Sequence, residues 1–121
     1  ESVRDQLKEL GIKDAVLLSV VGSLSKLEYH RPTSYALSAE DEYLTVEQPM
    51  EIGNVSGVVI NGQPHFHIVA SDHLNNTYGG HLEEGTTILY LAEIVLQEIN
   101  GLKLERRYDE HKTAYFAERS E

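Results

Sequence analysis

The sequence predicts one β-rich domain opened by a helix, and three observations carry that reading. Apolar residues recur at helical spacing at the start of the chain. Most later apolar stretches are short, β-branched or alternating, as strands are. Asn61-Gly62, the strongest hairpin signal present, stands between two of them. A chain of 121 residues is long enough for a single core, so one domain spanning 1–121 is expected.

In order, Val3, Leu7, Leu10 and Ile12 mark an amphipathic helix, and Gly11 supplies its stop. Ala15 to Val21 is a continuous apolar run closed by Gly22, read as a buried strand. Ser25 to His30 alternates as a strand with one wet face would. Residues 30–35 and 38–42 read as loops, the acidic run among them as solvated surface. Short strands are expected at Tyr43 to Val46, Met50 to Ile52 and Ser56 to Ile60. The Asn61-Gly62 turn then delivers the chain into Pro64 to Asp72. Thr86 to Ile99 fits a helix or a long strand by periodicity, and its threonines and β-branched residues favour the strand. Asn100-Gly101 reads as another tight turn into Leu102 to Tyr108. The polar residues from Asp109 to Glu121 are expected to fray. Ser23 and Ser25 have no base arranged beside them and read as turn hydroxyls.

Composition excludes several functions. No cysteine means no disulfide framework and no zinc finger. No apolar run nears the roughly 18 residues of a membrane span, and no signal peptide is visible, so no membrane partner and a cytoplasmic location are expected. Ten basic residues against twenty acidic ones give a formal charge of −10. Such a chain is a poor direct binder of duplex DNA, which is gripped by neutralising its phosphates.

Chemistry concentrates in Pro64-His65-Phe66-His67-Ile68 and Tyr78-Gly79-Gly80-His81-Leu82, two apolar segments joined by a short polar loop. Side chains two apart in a strand share a face, so His65 and His67 project together. If the connection centres on Leu74, antiparallel pairing sets His67 opposite His81 and His65 opposite Glu83. Three imidazoles then converge. Three such ligands at roughly 2.0–2.1 Å with an open fourth position are an established zinc geometry. Gly79-Gly80 suggests a bulge or a close backbone approach, either of which would re-aim His81. Tyr78 and Tyr90 are candidates for a pocket wall, although strand tyrosines commonly serve sheet packing.

The order of these pieces resembles the plants-and-prokaryotes-conserved (PPC) domain. The opening helix, Leu18 to Leu24, the His65-to-Ile68 motif, the Ser71-Asp72 loop, Gly79-Gly80-His81-Leu82 and the long segment through Glu93 carry the resemblance over nearly the whole chain. It implies an α+β fold, a largely antiparallel sheet packed with helices, assembled as a homotrimer, and a strand ahead of the first helix that this sequence does not show at its start. It also implies metal binding at His65, His67 and His81. Plant members follow an AT-hook and act in association and transcriptional regulation; prokaryotic ones are single-domain candidate DNA-binding proteins, some resembling metal-containing proteins. The AT-hook core Arg-Gly-Arg-Pro is absent here. Two functional classes follow. One is a zinc-containing (or other divalent transition metal) trimeric interaction module, regulatory and DNA-associated through a partner, whose site is closed by a side chain such as Glu83 or is structural. The other is a small zinc-dependent enzyme with an open coordination position, in which Glu83 or Glu84 moves protons.

Overall fold

The computed structural model describes residues 2–120; Glu1 and Glu121, the ends of the expected domain, lie outside the described residues. Helix α1 spans Val3–Leu10 and is capped at both ends. The Ser2 hydroxyl accepts from the Asp5 N–H at 3.2 Å while the Asp5 carboxylate accepts from the Ser2 N–H at 3.3 Å, a reciprocal capping box. Gly11, at φ 68°, donates to the Lys8 carbonyl and Ile12 donates to that of Leu7, which satisfies two orphan carbonyls and ends the helix. Leu7 is buried, and Val3 and Ile12 pack beside it against the core.

The rest of the chain is antiparallel sheet: β1 (Ala15–Pro32), β2 (Asp41–Val46), β3 (Met50–Ile60), β4 (Gln63–Asp72), β5 (Thr77–Leu82), β6 (Thr87–Glu98), β7 (Leu104–Tyr108) and β8 (Ala114–Glu118). Strand β1 organises everything. It pairs with β3 and β6 along its first two-thirds, then with β5 and β2 near its end. Because β3 pairs with β4, β4 with β5 and β5 with β1, four strands close into a ring. Alternate residues point into it: Leu27 and Tyr29 from β1, Val55 and Val59 from β3, Phe66, Ile68 and Ala70 from β4, all buried. The β7–β8 hairpin forms a separate two-stranded sheet.

Several sequence expectations change. The stretches 15–21 and 25–30 are one 18-residue strand, because Gly22 is a point of close approach and does not end it. A Cβ there would lie 2.3 Å from the Leu91 carbonyl oxygen on β6. Met50 to Ile52 and Ser56 to Ile60 also fuse, through a bulge between Ile52 and Asn54. Arg31 and Pro32, expected in a loop, extend β1, and Asp41 and Glu42 begin β2. One helix packs on the sheet among the described residues, where the family resemblance implied several. Asn100-Gly101 does not join paired strands, since β7 pairs with β8, and that pairing turns the tail expected to fray into a hairpin.

Candidate metal centre

The Asn61-Gly62 turn has left-handed φ values of 52° and 75°, the type I′ geometry its residues favour, and it starts β4 in register with β3. At the far end of β4 the Asp72 carboxylate accepts from the Leu74 and Asn76 backbone N–H groups, the Asn76 side-chain amide and the Tyr78 hydroxyl, at 2.8–3.0 Å. Burial works against this carboxylate, but the hydrogen bonds outweigh it and hold its pKa down to about 2. The turn so fixed sets His67 opposite His81, the register centred on Leu74.

One row then crosses five strands: Ser56, His67, His81, His30 and Tyr43, each opposite the next. Opposed residues share a face, and since Tyr29, Phe66 and Ile68 fill the interior, this row lies on the outside. His65 stands beside it, two residues before His67. Ring centroids lie 4.3 Å apart for His30 and His81, which stack, 4.7 Å for His65 and His81, 5.2 Å for His65 and His67, and 5.4 Å for His67 and His81. The Nε2 atoms of His65 and His67 are 3.3 Å apart. The rings of the three expected histidines thus lie side by side on one face.

A fourth, His30, joins them from β1, and sequence reading missed it. The only signal was its place at the wet end of an alternating strand; its partner His81 lies 51 residues away in the chain. Gly79-Gly80 forms no bulge. Instead, a Cβ on Gly80 would lie 2.5 Å from the His30 carbonyl oxygen, so the close approach that the glycines suggested is to His30 itself.

The acidic candidates separate. His65 and Glu83 do not pair, because β5 ends at Leu82 and the Glu83 N–H donates to the Glu28 carbonyl. The Glu83 carboxylate contacts His30 Nδ1 directly and lies 3.2 Å from His81 Nδ1. Glu84 is 79% exposed and pairs with Arg4 on α1, away from the imidazoles. Asp41 stands 3.9 Å from His30 Nε2. Tyr78 is engaged with Asp72, while Tyr90 lines a shallow cavity with Val21, Met50 and Leu91 that includes none of the four clustered imidazoles.

Burial, then the Arg106 guanidinium and the neighbouring rings, push His65 down to about 4. Burial, then His30, lower His81 against the pull of Glu83. Both rings are therefore neutral at pH 7, the form that binds metals. His81 Nδ1 is buried and makes no hydrogen bond despite its nearness to Glu83. Among the described residues, the ligating atoms of His30, His81 and Glu83 all lie within 4.8 Å of one another, and His65 and His67 stand outside that group.

A family model of the Plants and Prokaryotes Conserved domain, abbreviated PCC or PPC, matches residues 1–100. The chain belongs to this family. The PPC chain is 32% identical to the bifunctional protein GlmU of Synechococcus sp. (strain JA-3-3Ab) over 93 residues, 77% of its own length but 14% of that protein's. Three solved structures share its fold. A PPC protein from Pyrococcus horikoshii matches with TM-score 0.78 and 24% identity, over 98% of this chain and 82% of that one. A candidate DNA-binding protein from Bacteroides thetaiotaomicron matches with TM-score 0.76 and 21% identity, over 95% and 80%. A metal-containing protein from Archaeoglobus fulgidus matches with TM-score 0.75 and 24% identity, over 91% and 77%. Among the described residues of the PPC chain, no helix is long and apolar enough to cross a membrane.

Proposed function

We propose that this chain is a metal-binding, homotrimer-forming interaction module whose ion is held on the outer face of the ring by His65, His67 and His81. The observation that carries it is the gathering of imidazoles from three strands on one face, two of them held neutral. An all-imidazole donor set without thiolate suits Zn²⁺, with Cu²⁺ and Ni²⁺ as chemical competitors. The buried His81 Nδ1, which lies 3.2 Å from the Glu83 carboxylate without a hydrogen bond, fits a site whose polar atoms are completed by a ligand. That a relative of the same fold, from Archaeoglobus fulgidus, is a metal-containing protein points the same way. An ion bound there would cross-link neighbouring strands.

Assembly is supported by the apolar side chains left outside on β1 and β6. Leu18, Val21, Leu91 and Val95 are each at least half exposed and Ile88 nearly so, more than a lone domain leaves uncovered without cause. A regulatory role through association is favoured over turnover, because Glu83 is engaged by histidines and Glu84 by Arg4, which leaves neither poised as a free base. With a net charge of −10, association with DNA runs through a partner protein.

Elemental analysis of the purified chain and of a His65→Ala/His67→Ala variant, alongside oligomeric mass, tests this. Bound zinc in the wild-type trimer and a lower content in the variant are expected. Metal content near zero in both overturns the metal assignment, and a monomeric mass overturns the assembly.

A further inference from the structure

We infer that the imidazole face holds two cations per chain, with His81 common to both. His65 and His67 hold the first together with one nitrogen of His81; His30, Glu83 and His81 Nδ1 hold the second. The inference extends the proposed metal site, whose His65 and His67 it keeps.

Donor spacing carries it. Two ligands on a tetrahedral ion at roughly 2.0–2.1 Å stand about 3.3 Å apart. Two separate pairs on this face have that spacing: the Nε2 atoms of His65 and His67 at 3.3 Å, and His81 Nδ1 with Glu83 Oε1 at 3.2 Å. The second pair is joined by His30, whose Nδ1 is hydrogen-bonded to the same carboxylate oxygen and would exchange that bond for the ion. Three donors within 4.8 Å of one another, one of them a carboxylate, make a ligand set that does not need His65 or His67.

Two further observations favour an ion there over a plain ion pair. His81 Nδ1 is buried and forms no hydrogen bond, although the carboxylate beside it could accept one. A buried polar nitrogen without a partner is costly, and coordination would satisfy it. Asp41 lies 3.9 Å from the other nitrogen of His30, beyond hydrogen-bond reach but close enough to add negative charge behind the position. The two positions also differ in charge. The second has Glu83 within it and Asp41 behind it; the first has no carboxylate among its ligands, and the positive charge of Arg106 bears on His65.

Sharing His81 has a defined proton balance. A neutral imidazole carries one N–H, so an ion on each nitrogen requires that proton to leave for solvent, and the ring bridges as imidazolate. No redox step or co-reactant is involved.

The test is metal stoichiometry of the full chain, stripped with chelator, loaded with Zn²⁺ or Co²⁺ and weighed by native mass spectrometry. Two ions per chain are expected for the wild type, one for His65→Ala/His67→Ala, and one for His30→Ala/Glu83→Gln. Glu83→Gln alone, which keeps the shape of a part-exposed side chain, guards against misfolding and should weaken the second ion at least tenfold. Thermal unfolding of each metal-free variant confirms the fold. One ion in the wild type that survives His30→Ala/Glu83→Gln but not His65→Ala/His67→Ala overturns the second site and leaves the proposed function standing. One ion with the reverse dependence overturns both the two-ion arrangement and the ligand assignment made above. No bound ion sinks both.

Discussion

The closed ring and the C-terminal hairpin are both antiparallel sheet, yet they are held by opposite means. Leu27 and Val59 at 0% exposure, with Tyr29, Phe66 and Ile68, give the ring an apolar interior. In the hairpin Tyr108, Tyr115 and Phe116 are about half exposed or more, and neither strand contributes a buried residue. Its anchor is electrostatic. Arg119 reaches Asp14 just ahead of β1 at 2.8 Å, with side chains only 10% and 4% exposed, and donates to the Leu104 carbonyl as well. Asp14 also accepts from the Asn61 N–H. The lesson is that one chain can build sheet on a core or on a single buried pair, and the second kind is local. The family match ends at residue 100, ahead of the hairpin.

The largest expected effect lies in the ring. Leu27→Ala removes a fully buried side chain and should cost about 3 kcal/mol of global stability, read from denaturant unfolding. A cost below 1 kcal/mol would mean that the ring is no better packed than the hairpin.

Arg119→Ala should act differently. Stripping a partner from a buried ion costs up to roughly 3–5 kcal/mol, but a hairpin that can lift away lets water reach Asp14, so about 1–2 kcal/mol is expected. The distinguishing sign is regional. Hydrogen exchange should rise across β7 and β8 and at the Asn61 amide while β4 stays protected. Uniform deprotection would show that the two regions unfold as one.

The smallest effect concerns the one charged group on which the ring relies at its β4–β5 turn. Asp72 has its pKa lowered from the ordinary 3.8 to about 2 by folding, so its contribution is fully present above pH 4 and fades as pH falls through 2. The stability difference between wild type and Asp72→Asn should therefore be constant from pH 7 to 4 and shrink below it. A gap that widens on acidification would reverse the sign.

How much of this was legible in the sequence follows the range of the interactions. The helix, the Asn61-Gly62 turn and the His67–His81 register are written in neighbouring residues, and each was readable. The β6 strand was too, because its β-branched residues broke a tie between periods. Gly22 misled, since a glycine that ends a strand and one that admits a neighbouring backbone look alike until β6 is in place. The hairpin was invisible because its polar strands carry no apolar pattern; Arg119 and Asp14, which tie it down, are 105 residues apart. His30 was missed for the same reason. Its membership in the cluster depends on ring closure, which no local pattern encodes.

That closure is brief. Strands β5 and β1 are joined through the pairs Tyr29–Leu82 and His30–His81, with one more backbone bond from Glu83 to Glu28 just past β5, against ten pairs between β3 and β4. A bracelet parts at its shortest link, and here two of the stacked imidazoles are the clasp. Whatever fastens His30 to His81 would govern how often the interior breathes, so occupancy on the outside of the molecule would be felt as slower amide exchange at Phe66 and Ile68 within it.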